Sequence, residues 1–521
     1  MTQRVERGSN GSRAEQSSAE TIVSHAPVSG ERLGSVPVMS TEQVRDVVSR
    51  ARRAQAAWAS VPIEKRGEHL LRFRDAIVDR TEEVVDLLSR ETGKPRFEAL
   101  LHEVAMTADM ITYWAKAAPR ILAPQERPLH LFKQRRTVIT YVPRGVIGII
   151  APWNFPFGLI GRDVVTALVA GNAAVVKPSE VTPLICMKAK EIWDACGMPE
   201  DLLGMVTGYG ATGAALIDAG IDMCVLTGSV ATGRRVAAAC GERLIPCVME
   251  LGGKAPLIAC RDCDIERTAR AIVGGGFAHS GQVCVSVERV YAHRDVYEPL
   301  LARSVELTKE LRHGDPATEF CDIGGVTFER QIEVAEKHIA DAVGNGAEIR
   351  AGGKRIVGAK QAFEPTILAN CSHDCTVMTE EIFGPIVPFM RVSTNEEALA
   401  LANQSHLGLN AYVFTEDPVR GRRLAERVEA GCVMINEVLL NGGITEAPFG
   451  GIKQSGFGRV MGEEGLRAMC NVRHLCLDRF KLPPKNPLAF PYTEKRYNWV
   501  LKATRAMFTS GGVFKRLRAL F

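Results

Sequence analysis

Three short stretches carry side chains able to act together on a carbonyl carbon. FAHSGQVCVSVERV, residues 277–290, puts Cys284 after a small polar turn and ahead of an apolar run. MELGGKAP, residues 249–256, puts Glu250 at the end of an apolar segment and before a Gly-Gly turn. APWNFP, residues 151–156, puts Asn154 just past another apolar segment. A thiol that attacks, a carboxylate that takes a proton and a carboxamide that donates to an oxyanion are the set needed for covalent catalysis at a carbonyl. Each stretch alone is weak. Cys284 is one of 14 cysteines, most of which read as small buried hydrophobes. The Glu and the Asn could each be turn residues.

The elements that would position these residues follow from the apolar pattern. Ser40 and Gln43 form a capping-box pattern, and Val44, Val47, Val48, Ala51 and Trp58 then recur at helical spacing. A second long helix is expected over about 65–88. From Thr137 the pattern changes. Apolar, β-branched runs near 146–151, 173–176, 204–207, 223–226 and 245–249 alternate with helix-like segments such as 183–196 and 232–243. Such alternation predicts a parallel sheet covered by helices. Ligands of such sheets bind at the strand ends. A second α/β region runs from about Lys254 to Ala447, with Gly274-Gly275-Gly276 and an apolar strand at 432–435. Residues 482–491 are proline-rich and read as a linker or extended arm.

Composition narrows the classes. The 521 residues are ample for a large buried core. A net charge of +4 does not demand nucleic acid. The start, MTQRVERGSNGSRAEQSSAE, is polar and reads as a tail rather than a secretory signal. No apolar run reaches the ~18 residues of a spanning helix. Free thiols in a reducing cytoplasm are therefore expected. Cys260 with Cys263, and Cys371 with His373 and Cys375, lie too far apart in sequence for the usual zinc spacing, so no metal is expected.

Taken in order, APWNFP, VVKPSE (175–180), TGSVATG (227–233), MELGGKAP, GQVC (281–284), EEIFGP (380–385) and PFGGIKQSGFGR (448–459) resemble the aldehyde dehydrogenase superfamily, over roughly residues 20–480. The resemblance implies an α/β fold with a Rossmann-like parallel-sheet NAD-binding domain, a second α/β catalytic domain and a small oligomerisation β-flap. The expected division is a tail at 1–20, an NAD-binding domain at 21–124 and 144–252, and a catalytic domain at 253–465. Oligomerisation segments follow at 125–143 and 466–490, and a basic amphipathic extension at 491–521. By the same resemblance Cys284 attacks the aldehyde, and the Asn154 amide and the Cys284 N–H hold the alkoxide. Glu250 then activates the water that hydrolyses the thioester. Lys177 and Glu180 would reach the adenosine ribose. A carboxylate there repels a 2′-phosphate, so NAD is expected over NADP. Gly228, Ser229 and Gly233 would open a helix toward the pyrophosphate, with Trp153 alongside and Gly210 a minor contact. Glu381 and Phe383 would clamp the nicotinamide ribose. His279 stands where the family often has Asn and reads as a loop-packing residue.

Substrate and tail leave alternatives open. Arg162 is similar to an arginine that binds the substrate carboxylate in succinate-semialdehyde dehydrogenases. A second arginine of that group aligns with Ala278, and Val283 and Val285 flank the cysteine with apolar surface. A medium or long aliphatic, or aromatic, aldehyde is favoured, with succinate semialdehyde as the alternative. A cysteine-dependent esterase is the alternative of another class. A homodimer or homotetramer is implied. In the tail, Tyr497, Val500, Leu501 and Phe508 share a helical face, interrupted by Thr504, among Lys495, Arg496, Lys502, Arg505, Lys515, Arg516 and Arg518. It is similar to the extended C-termini of fatty aldehyde dehydrogenases. It would either dock on the protein or lie as a peripheral contact on a membrane surface.

Overall fold

The structure, a computed structural model, describes residues 20–481 and 490–510. Contacts divide the chain into two compact units. The larger runs to Ala123 and continues over Tyr141–Val472. Its first sheet holds β1 (Val146–Ile150), β2 (Ala173–Lys177), β3 (Leu203–Met205), β4 (Met223–Thr227) and β5 (Cys247–Glu250). These run parallel in the order β3-β2-β1-β4-β5. A short strand, Gly456–Phe457, closes the β5 edge antiparallel. The chain reverses its direction of growth between β1 and β4, and a ligand crevice opens at the carboxyl ends of such a pair. β2 is buried at every residue, as a strand covered on both faces must be.

The second sheet holds β6 (Pro256–Ala259), β7 (Arg289–His293), β8 (Glu348–Ala351), β9 (Thr366–Ala369), β10 (Ile386–Val392), β11 (Asn410–Phe414) and β12 (Cys432–Ile435). Its order is β8-β9-β10-β7-β6-β11-β12, with only β8 antiparallel to its neighbour.

The expected capping box is present at the start of helix α1 (Thr41–Ala59). The single helix expected over 65–88 is instead two, α2 (Ile63–Asp79) and α3 (Thr81–Thr92). The break falls at Arg80, whose N–H turns back to the Ile77 and Val78 carbonyls, and the Thr81 hydroxyl donates to Val78 O at 2.7 Å. Periodicity continues through such a tight turn, so the pattern conceals it. Helix α4 (Val230–Glu242) follows β4, and α5 (Ile265–Phe277) precedes the cysteine loop.

The smaller unit comprises Pro124–Thr140 and the chain from Arg473 onward. Its sheet runs in the order Cys470–Asp478, Arg135–Pro143, Gln125–Arg127. Helix α6 (Glu494–Phe508) is capped by the Thr493 side chain and has no buried residue. The helix Gly462–Ala468 lies in the larger unit. The expected arm at 482–491, apart from its last two residues, and the basics at 515, 516 and 518 lie outside the described residues. No described helix is long and apolar enough to cross a membrane.

Candidate active site

The cysteine loop is built from an unusual backbone. Beyond α5, His279 (φ 47°), Ser280 (φ 53°) and Gly281 (φ 73°) are all left-handed. Side chains hold this turn in place. The His279 N–H donates to Glu98 at 2.8 Å, and Gln282 links the His279 carbonyl (2.9 Å) to the Thr327 N–H (2.9 Å). The His279 ring is buried edge-on to Phe155, and burial holds its pKa well below the usual imidazole value. The turn delivers Cys284, half-buried, to a cavity. Burial pushes the thiol up to about 12. Arg162 opposes that shift, and the Glu250 and Glu381 carboxyls add to it.

Glu250 is the last residue of β5 and is 2% exposed. Neither carboxyl oxygen has a hydrogen-bond partner. Burial pushes its pKa up to about 8, with Asp163 adding and Arg162 and Arg459 opposing. The glycines that follow permit a close approach. The Gly253 N–H donates to Glu381 at 2.8 Å. A side chain at Gly252 would overlap the Glu381 carboxylate, and one at Gly253 would meet the Cys284 carbonyl. Nucleophile loop, base strand and Glu381 thus meet only because two residues lack Cβ atoms.

Asn154 follows β1 and is buried. Its amide donates to the Gln282 carbonyl at 2.9 Å, leaving the second N–H for an oxyanion. Its backbone rests on residues that the sequence did not single out. Lys94 donates to the Asn154 carbonyl at 2.9 Å and pairs with Glu103, and both side chains are fully buried. Glu103 accepts the Phe157 and Gly158 N–H groups at 2.8 and 3.0 Å, and the Lys94 ammonium lies 3.8 Å from the Phe155 ring centre. Lys94 and Glu103 sit nine residues apart outside any motif, so no spacing signal announces them.

On the crevice side, Lys177 pairs with the half-exposed Glu180 at 2.8 Å beyond β2. Ser229 caps α4 by accepting from Thr232, Gly210 faces open space, and a side chain at Gly228 would touch Leu226 at 3.9 Å. Gly233 instead packs against the Leu251 side chain, a structural reason for glycine there. Trp153 and Phe383 stack edge to face at 5.3 Å. The Phe383 N–H donates to Glu288 at 3.0 Å, and Glu288 pairs with the buried Lys254 at 2.9 Å. A helix N-terminus beside small residues at the strand ends fits the pyrophosphate of a dinucleotide. Elsewhere, His373 faces the Tyr291 hydroxyl at 3.0 Å, and no three His, Cys, Asp or Glu among the described residues are arranged to hold a metal.

The cavity at Cys284 measures about 730 Å³, and Phe97, Leu101, Met106, Met110, Leu159 and Phe449 make much of its wall. Val283 and Val285 line it as well. Arg162 also faces this cavity, but its guanidinium is engaged. Two nitrogens grip Asp163 at 2.7 and 2.9 Å, and one of them also donates to Thr227 at 2.9 Å. One side of the fork, Nε and Nη2, is thus taken up by its own neighbour.

The aldehyde dehydrogenase family model matches residues 14–475. The chain is 37% identical to a Methylomonas protein named 4,4'-diapolycopene aldehyde oxidase, over 92% of this chain and 89% of that one. Among solved structures, it resembles succinate-semialdehyde dehydrogenase from Burkholderia pseudomallei (33% identity, 88% of this chain and 95% of that one, TM-score 0.84). It also resembles an E. coli NADP dependent enzyme (32% identity, 88% and 95% covered, TM-score 0.84). The chain belongs to the aldehyde dehydrogenase family and is an oxidoreductase acting on the aldehyde group.

Proposed function

We propose that the protein oxidises an apolar aldehyde, medium- to long-chain aliphatic or aromatic, to its carboxylic acid with NAD. Cys284, once deprotonated, attacks the aldehyde carbon, and the Asn154 amide and the Cys284 N–H receive the oxyanion. Losing one such donor typically slows catalysis ~10²–10³-fold. A nicotinamide dinucleotide, held by Lys177, Glu180, Gly228 and Ser229, would supply the hydride acceptor that the Cys284 adduct needs to become a thioester. Glu250 takes a proton from water, which displaces the thiol and releases the acid. The observation that carries this reading is the meeting of Cys284, Glu250 and Asn154 in one largely apolar cavity that also reaches Gly228 and Ser229 at the N-terminus of α4.

A panel of aldehydes, read by NADH absorbance, tests it. Apolar aldehydes should give the highest kcat/KM. Cys284→Ala should abolish turnover while leaving NAD binding intact, and appreciable turnover in that variant would overturn the nucleophile's role. Succinate semialdehyde is the second reading, favoured by the likeness to the Burkholderia enzyme, and the engaged fork of Arg162 weighs against it. Ester cleavage that proceeds without dinucleotide would instead favour a hydrolase. Glu180 supports NAD over NADP, against the likeness to the E. coli enzyme. A homodimer or homotetramer is inferred, to be read by light scattering. The segment 491–521 is inferred to contact anionic membrane surfaces peripherally. Its support is α6, where Tyr497, Val500 and Phe508 are exposed on a helix that also carries Lys495, Lys502 and Arg505.

A further inference from the structure

A second hollow of about 460 Å³ adjoins the catalytic cavity. The two share Phe97, Glu98, Gly274 and Ala278 as walls. Past that boundary, Val273, Phe277, Leu311 and Phe320 face the second hollow, and Phe320 is 75% exposed at its mouth. The charged pair there is already satisfied, since Arg312 grips Asp322 through two hydrogen bonds of 2.8 and 2.9 Å.

Gly274 sits at the boundary, inside α5, where a glycine costs about 0.5–1 kcal/mol relative to alanine. Packing explains its two neighbours. A side chain at Gly275 would press on Val287 at 2.7 Å, and one at Gly276 would overlap Val387. Nothing lies within 4 Å of a Cβ built at Gly274. No neighbour requires the glycine, and the space it leaves belongs to both hollows.

We propose that the second hollow binds the distal part of an extended apolar aldehyde. The carbonyl lies at Cys284, and an unbranched or polyene chain too long for the first cavity passes over Gly274 and Ala278 to lie between Phe97 and Phe320. This rests on the aldehyde-oxidising reading and adds the length and shape of the substrate. The apolar lining and the continuity with the cavity of Cys284 favour this occupant.

The test is the ratio of kcat/KM for hexadecanal to that for hexanal, with a rigid polyene aldehyde as a third substrate. Gly274→Leu should obstruct the passage and Phe320→Glu should charge its far side. In both, the ratio should fall roughly tenfold or more, because chain discrimination in an apolar pocket accumulates with each methylene buried. A ratio unchanged in both variants, with hexanal still oxidised, overturns the second subsite and leaves the aldehyde-oxidising reading standing. Wild-type protein that oxidises no aldehyde overturns both. If the ratio holds but Phe320→Glu lowers the molar mass in light scattering, the hollow seats a second copy of the chain, and the proposal fails.

Discussion

Glu250 combines two properties seldom found together: full burial and no hydrogen-bond partner on either oxygen. With its pKa pushed up to about 8, most of it is protonated at neutral pH. A base must be ionised to take a proton, so turnover limited by thioester hydrolysis should climb roughly tenfold from pH 6 to 7 and level off above about pH 8. Glu250→Gln should give one burst of NADH per site, then stall, in stopped-flow absorbance. A steady state like that of the wild type would show that another group is the base. Glu180 makes a separate prediction. NAD should exceed NADP in kcat/KM, and Glu180→Ser should narrow the gap by removing repulsion and freeing Lys177 for a 2′-phosphate. Equal use of the two by the wild type would sink the assignment. Cys284, Glu250 and Asn154 could be read from the sequence because Glu250 ends and Asn154 follows an apolar strand, and Cys284 follows a turn whose glycine and small polar residues are local features. Arg162 could be found but not understood, since only the structure turns the adjacent Asp163 onto its guanidinium.

The loop after β1 depends on the Lys94–Glu103 pair. Removing one member of a buried pair strands the other charge, at a cost of about 3–5 kcal/mol. Lys94→Met should lower stability in urea by that order. The double variant Lys94→Met/Glu103→Leu should regain much of the stability but not the activity, because the Asn154 carbonyl and the Phe157 and Gly158 N–H groups still lack partners. Full activity in the double variant would show that the pair does not position Asn154. The five strands of the first sheet and the strand at 432–435 were foreseen to within a residue or two, because buried β-branched runs leave few alternatives, whereas the other strands of the second sheet were not located one by one. The division at Arg80 was not, since a tight turn between two helices preserves the spacing of apolar residues. The support beneath Asn154 was not foreseen either, because two charged residues nine apart look like solvated surface until the fold closes over them.

At the level of the whole molecule, every residue of the proposed chemistry lies in the larger unit. Ending the chain before 490 should therefore leave oxidation of a small aldehyde largely intact. The full chain should co-sediment with anionic liposomes and lose that binding as salt rises, each basic residue contributing roughly 1 kcal/mol near the surface. Full-length protein that ignores such liposomes at low salt would rule out the membrane contact. The order of the large sheets was beyond the sequence, since alternation specifies parallel strands but not which of them are neighbours. One such pairing has a consequence for how the chain is made. Glu250 and Met249 face Gly456 and Phe457, the Leu251 N–H reaches the Ser455 carbonyl, and the Ser455 hydroxyl donates to Gly252 at 2.6 Å. As the ribosome delivers the chain, β5 emerges roughly two hundred residues before the strand that covers it, a wait of at least ten seconds at typical synthesis rates. Throughout that interval its outer edge offers unpaired backbone groups to any passing strand. The covering of β5 and the completion of the base's surroundings are then one event, so a nascent chain stalled anywhere short of residue 457 should be inert and prone to aggregate.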